Sequence, residues 1–346
     1  MIGYFGNTKK PPLRVRIMFA QAALHDIDFF YSTIDRVDIE NKVILGTFFR
    51  QGEYVEEEVG YPLVVDNIHD IRSKYRKIYN SMSKTSLFVY SLKTGGKIRQ
   101  YEILREKGFG KFLIETYDYK DIDVDKLFNS YSSWIVKPIG GNKGKNIYKI
   151  SGDAHQKVLS VDGVTLHLSS KDFIDNYGPV FRDGYLVQKY IKSATGFDTA
   201  KSIRILCARG KGGKWTFKKI RFSVNALKGS HNSNLGQEGA LLGLDAQGFL
   251  NVEYGKEEAS RIYKELYDIS NTLPSAFQQA YPRTIDAVGI DLVIDRNDNN
   301  KVYICEVNFG PAWRPFYGEF SEHRIMYYKY LLENYTAIKN GTLKIK

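Results

Sequence analysis

The sequence predicts a mixed α and β fold, with an α/β lobe at the start and a strand-rich region interleaved with helices after it. Three observations lead there. Residues 1 to about 80 alternate short apolar runs with polar turns, the chain from Trp134 onward changes to strand and hairpin patterns, and no repeat or low-complexity tract interrupts it. In chain order, Lys42–Gly46 (KVILG) and Tyr61–Asp66 (YPLVVD) read as buried strands, because continuous apolar runs suit strands covered on both faces. A helix is expected over about 68–81, and a second over Lys97–Lys107, where Gly108 is placed to end it.

Trp134–Pro138 (WIVKP) reads as a strand that runs into the loop Gly140-Gly141-Asn142-Lys143-Gly144-Lys145, and Asn146–Ile150 returns as its hairpin partner. Tyr185–Ile191 is another strand. Ser202–Ala208 and Trp215–Val224 form a hairpin around Gly210–Gly213. A helix is expected over about 256–280, with Ile262, Leu266, Ile269 and Leu273 spaced along one face. The strands Ala287–Asp295 and Lys301–Asn308 flank the polar turn 296–300, and Glu322–Tyr335 closes the chain as a helix.

At 346 residues the chain can build more than one core, and its 43% hydrophobic and 26% charged content is that of a soluble globular protein. Fifty Lys and Arg against 39 Asp and Glu give a net charge of +11, which attracts anions from nucleotide phosphates to acidic polymers without choosing among them. The two cysteines, Cys207 and Cys305, sit in apolar strand runs, so buried free thiols in a reducing compartment are expected rather than a disulfide framework. No run approaches the roughly 18 apolar residues of a membrane span, and the start lacks a secretory pattern, so the expected location is the cytoplasm. The six histidines show no metal-ligand spacing, and no Ser/His/Asp or Cys/His pattern is legible.

The strongest chemical signal lies on the strands flanking the 296–300 turn. Glu306 and Asn308 share one strand face by the period-two alternation, and in a hairpin centred near 298 Asp291 falls opposite 305 or 306. Two carboxylates and an amide oxygen suit Mg²⁺, which takes hard oxygen ligands and shares them with phosphates and water. The plain alternative is a solvated edge with scattered acids, but Glu306 and Asn308 interrupt an otherwise apolar strand. Lys137, followed by Gly140, Gly141, Lys143 and Gly144, places a cation beside a pliable backbone able to fold over phosphates, although such loops are also ordinary turns. Arg204 and Arg221 on apolar strands, with Asn234, form a row of groups suited to an anion; an outward-facing arginine is the alternative for each. Lys218 and Lys219 read as solvated face.

The order Trp134-Ile-Val-Lys-Pro, glycine loop, Tyr185-Leu-Val-Gln, Ile203-Arg204, Arg221, Asn232-Ser-Asn-Leu235, Gly289-Ile-Asp291-Leu and Glu306-Val-Asn308 resembles the ATP-grasp ligases, and within them the YheC/YheD group. Ser233-Asn234-Leu235 is also similar to RimK-type glutamate ligases. The resemblance implies an ATP-grasp fold: an N-terminal α/β lobe (1–82), a small lobe with linker helices and the glycine loop (83–192), and a C-terminal lobe with the metal site (193–346). It implies ATP as cofactor and two Mg²⁺ ions, with Mn²⁺ as the other candidate ion. Lys97 and Lys137 would hold phosphates, and Gln188, Lys189, Tyr190 and Ile191 would form the adenine hinge, with backbone groups at 189 and 191 reading the base. Relatives often carry Asp before the lysine matched by Lys97, where this chain has Gly96, and Glu at the position of Gln188.

The activity so implied is an ATP-dependent carboxylate–amine ligase that works through an acyl phosphate on a peptide, amino acid or acidic sugar. Glu306 would bridge the metals, with Asp291 and Asn308 on one each, and Arg204, Arg221 and Asn234 would serve the transferred phosphoryl. Asp198, Lys201 and Gly310–Arg314 are candidate walls of the acceptor side. A non-catalytic nucleotide-binding or spore-coat-type protein that kept the fold is the alternative. Nucleic acid is not an expected partner, because no recognised motif accompanies the charge.

Overall fold

Continuous apolar runs at the start of the chain assemble into a sheet with a parallel centre. The computed structural model describes the whole chain except residues 68–74, 90–95, 124–126, 128–132, 141–145, 154, 162–163, 197–198, 229–238, 243–244, 282–284, 310–319 and 346. The strands of this first sheet are β1 (Ile2–Gly6), β2 (Phe29–Thr33), β3 (Val37–Asp38), β4 (Val43–Arg50), β5 (Glu53–Gly60), β6 (Val64–Asn67) and β7 (Leu87–Phe88). β2, β1, β6 and β7 pair in parallel in that order, while β4 and β5 form an antiparallel hairpin at the side. Every residue of β1 and β2 is buried, as expected of strands covered on both faces. Helix α1 (Leu13–Leu24) packs on one face around Ile2, Tyr4 and Phe29, and Phe5, Phe30, Ile44 and Phe48 form the core of the other. Of the helix expected over 68–81, α2 (Arg76–Met82) is described, and the earlier part lies outside the described residues.

Helix α3 (Gly96–Glu106) then leads to a second, antiparallel sheet. Its strands are β8 (Thr116–Asp118), β9 (Ser133–Pro138), β10 (Tyr148–Gly152), β11 (Gln156–Val161), β12 (Val164–Ser169) and β13 (Tyr185–Lys189), in the order β12-β11-β10-β9-β13-β8. One face is closed by α4 (Ser170–Arg182), whose start is set by Ser169: its hydroxyl accepts the Asp172 N–H at 3.0 Å. Phe173 and Phe181 of α4 pack on Trp134, Val136 and Leu159, all fully buried.

The third sheet contains β14 (Thr199–Arg209), β15 (Trp215–Lys228), β16 (Gly239–Leu242), β17 (Ala287–Asp295) and β18 (Lys301–Phe309), in the order β16-β15-β14-β17-β18. Helices α5 (Ala246–Tyr254) and α6 (Lys256–Gln279) cover one face. Ile262, Leu266, Ile269 and Leu273, the stripe read from periodicity, meet Ile203, Ile205, Ile290 and Leu292 there. Burying each such side chain contributes roughly 1.5–3 kcal/mol. The closing helix α7 (Phe320–Lys339) returns to the first sheet, where Tyr328 and Leu331 pack against the α1 side. No helix among the described residues is long and apolar enough to cross a membrane.

Alternation also decides the lysines on this sheet. Lys218 lies opposite Cys207 on the helix-covered face, half-buried, where it hydrogen-bonds Asn271 of α6, so it is not part of a solvated face. Lys201 is three residues from Arg204 and so points away from it. It is buried on the helix side and bonded to Glu253 at 3.3 Å, so it is not a wall of the Arg204 site.

Candidate active site

Strand register brings four charged side chains into one line across the third sheet. Arg221 on β15 is the cross-strand partner of Arg204 on β14, Arg204 of Asp291 on β17, and Asp291 of Glu306 on β18. Directly paired residues share a face, so the order Arg221–Arg204–Asp291–Glu306 runs along the side of the sheet away from α5 and α6. Asn308 is the partner of Gly289, one row along on the same face, and its Nδ2 donates to Asp291 Oδ2 at 2.7 Å.

A β-bulge makes this row possible. From the turn inward, Asp295 pairs with Lys301 and Leu292 with Ile304, but Asp291 pairs with Glu306, so Cys305 is the extra residue. Ile304 and Val307 both face the helix core; in a regular ladder Asp291 would pair with Cys305 and Glu306 with Ile290, which would put Glu306 into that core in place of Val307. The sequence left 305 and 306 as alternatives; the bulge selects 306.

Arg204 binds Asp291 through both prongs, Nε to Oδ1 and Nη2 to Oδ2, each at 2.6 Å. Burial lowers the Arg204 pKa, but Asp291, with a smaller contribution from Glu306, more than offsets this and raises it. Arg221 is buried, and its pKa falls to about 10, chiefly through burial and then through the neighbouring Arg204 charge, with Asp291 opposing. Two arginines beside one paired carboxylate leave positive potential on this part of the row, suited to an anion. Asp291, expected on a metal, is here also the counter-ion of Arg204.

The two lysines expected to hold phosphates come from other parts of the chain. Lys97, in the first turn of α3, is buried; its Nζ lies 3.9 Å from Glu306 Oε2 and donates to the Pro138 and Ile139 carbonyls at 3.3 and 3.4 Å. Burial lowers its pKa, Glu306 opposes this, and Lys137 adds to the lowering. Gly96 has φ +80°, and a Cβ there would meet Ile139 Cγ2 at 3.0 Å. A left-handed backbone of this kind favours glycine.

Lys137 is buried on β9 and donates to Gln188 Oε1 at 2.9 Å. Gln188 Nε2 donates to Tyr101 Oη at 2.6 Å and Thr116 Oγ1 at 2.9 Å. At the expected hinge, the Lys189 N–H donates to the Glu115 carbonyl at 2.9 Å and the Ser193 N–H donates to the Ile191 carbonyl at 2.9 Å. Lys149 Nζ stands 4.4 Å from the centre of the Tyr190 ring. Gly140, two residues beyond the end of β9, is exposed, and a Cβ there would meet nothing within 4 Å. Asn234, Gly141, Lys143, Gly144, Asp198 and the 310–314 segment lie outside the described residues.

Among the described residues no three His, Cys, Asp or Glu side chains converge as a metal cluster. The residues that could hold Mg²⁺ are a mixed set, the Asp291 and Glu306 carboxylates with the Asn308 amide, which would have to turn over to offer its oxygen. Sequence reading missed Gln100, Tyr101 and Thr116. The signal was present for two of them, since Lys97, Gln100, Tyr101 and Leu104 share one helical face and are buried together.

Solved structures of low identity share this fold. An ATP-grasp ligase PsnB complexed with minimal precursor, Mg and ADP matches at TM-score 0.51 and 9% identity, over 97% of this chain and 98% of that one. A Chryseobacterium gregarium RiPP-associated ATP-grasp ligase in complex with ADP and a leader and core peptide matches at 0.50 and 11%, over 96% of each chain. N5-carboxyaminoimidazole synthetase from Staphylococcus aureus matches at 0.52 and 12%, over 95% of this chain and 77% of that one. No curated protein matches the sequence. The model of the YheC/D-like ATP-grasp family matches residues 86–336, which include Lys97, Lys137, β13 and the whole charged row. The chain belongs to the YheC/D-like ATP-grasp family.

Proposed function

We propose that this chain is an ATP-dependent ligase that joins a carboxylate to an amine through an acyl phosphate, with a peptide as the carboxylate substrate. The observation that carries the proposal is the line Arg221–Arg204–Asp291–Glu306 with Lys97 at its acidic end, which sets cations and carboxylates where a polyphosphate and its counter-ions need them. One structure of shared fold holds a leader and core peptide and another a precursor peptide, which supports the choice of a peptide.

In this reading Lys97 and Lys137 hold the phosphates, and the hinge from Gln188 to Ile191 holds the base. A carboxylate oxygen attacks the γ-phosphorus and ADP leaves; the amine nitrogen then attacks the carbonyl carbon, loses a proton, and phosphate leaves. Arg204 and Arg221 hold the transferred phosphoryl oxygens, and Asn234 belongs to the same acceptor side. Asp291, Glu306 and Asn308 would hold Mg²⁺ or Mn²⁺, which supplies charge neutralisation at the phosphate oxygens.

The test is ADP release by the purified protein against a matrix of peptides, other carboxylates and amines. Release that requires both a carboxylate and an amine is expected, with Glu306→Gln lowering kcat by about 10²–10³-fold, as for loss of one preorganised charge group. ADP release that needs neither substrate, or that survives Glu306→Gln, would overturn the assignment.

A further inference from the structure

Between the phosphate-side lysine and the acidic end of the row runs a hydrogen-bond chain whose direction is set at every link. The Lys137 ammonium can only donate, so it takes the carbonyl oxygen of Gln188, at 2.9 Å. That turns the Gln188 NH₂ toward Tyr101 Oη, at 2.6 Å, and Thr116 Oγ1, at 2.9 Å, which must both accept. The Thr116 hydroxyl passes its own proton to the Ile114 carbonyl at 2.8 Å. The Tyr101 hydroxyl passes its proton to the Ile304 carbonyl at 2.9 Å, with the Cys305 carbonyl at 3.2 Å.

Those two carbonyls belong to the bulge that turns Glu306 onto the charged row. On the far side of Glu306, the Val307 N–H donates to Gln100 Oε1 at 3.3 Å. Neighbouring residues of α3 thus grip β18 before and after Glu306, while Lys97, one turn earlier, reaches the Glu306 carboxylate itself. A neutral amide at 188 is required for this arrangement. A carboxylate could not donate to Tyr101, and the tyrosine proton would turn away from the bulge.

We propose that Tyr101 and Gln188 are positioning residues that couple Lys137 to Glu306, so that nucleotide binding on the second sheet and metal binding on the third strengthen one another. The proposal rests on the ligase reading for what the two ends bind. Neither residue touches the reacting atoms. Their effect passes through the lysine at one end and the bulge at the other.

The experiment is calorimetric titration of ADP with and without Mg²⁺, for the unsubstituted protein, Tyr101→Phe and Gln188→Met. The readout is the ratio of the two dissociation constants, which a purely structural role would leave unchanged. Both substitutions are expected to shrink this ratio about fivefold, the size of one neutral hydrogen bond, with unfolding still cooperative. A folded Tyr101→Phe protein that keeps the full ratio overturns the proposal, and if that variant fails to fold, Gln188→Met decides in the same way. If the unsubstituted protein shows no Mg²⁺-dependent ADP binding, the ligase reading itself falls and the coupling with it.

Discussion

Asp291→Ala tests whether the charged row is one electrostatic unit. The carboxylate accepts both prongs of Arg204 at 2.6 Å and the Asn308 amide at 2.7 Å. Opposite charges about 4 Å apart attract by ~4 kcal/mol at an effective dielectric near 20. The two side chains keep 22% and 23% exposure, so solvent screening reduces this to roughly 2 kcal/mol. Removing the carboxylate also leaves Arg204 facing Arg221, whose pKa that neighbour already depresses. The expected loss in urea unfolding is therefore about 2–3 kcal/mol. The vacated position should take another anion, so millimolar pyrophosphate should recover stability in the variant more than in the parent. Mg²⁺-dependent ADP binding should weaken at the same time. A loss under about 0.5 kcal/mol with no pyrophosphate effect would show that Arg204 has a different anchor and that the row does not act as a unit.

Two further outcomes follow from single residues. Lys201 is 2% exposed and its pKa is lowered to about 8, chiefly by burial, with Arg296 adding to the lowering and Glu253 opposing it. Above that value the unfolded chain, with lysine near its ordinary 10.5, binds the extra proton, so stability rises from about pH 8 to 10.5. The gain is on the order of 3 kcal/mol and should be absent from Lys201→Met in urea unfolding across that range; an unchanged profile would refute the assignment. Gly96→Asp should cost about 1 kcal/mol in thermal unfolding, because φ is +80° and Ile139 stands in the way; a neutral result would show that this turn adjusts freely.

The sequence alone determined the α/β opening, the hairpins around 210–213 and 296–300, and the helix over 256–280. Each rests on short-range periodicity, and the structure places them within a few residues of expectation: α6 spans Lys256–Gln279, and β17 and β18 span Ala287–Asp295 and Lys301–Phe309. It also singled out Arg204, Arg221, Glu306 and Asn308, because polar groups on apolar strands carry a cost that something must offset, and Asp291 by its place across the hairpin and Lys137 by its glycine loop; Lys97 came from the family resemblance alone. Tertiary structure alone decided which of these meet. Register across three strand pairs aligned Arg221, Arg204, Asp291 and Glu306, and one extra residue at Cys305 turned Glu306 from the helix core to the open face. Neither can be read from spacing, since a shift of one residue reverses every side chain on a strand. The same holds for Tyr101 and Gln188. Their partners lie 203 and 51 positions away in the chain, so only the packing of α3 between two sheets shows what they join.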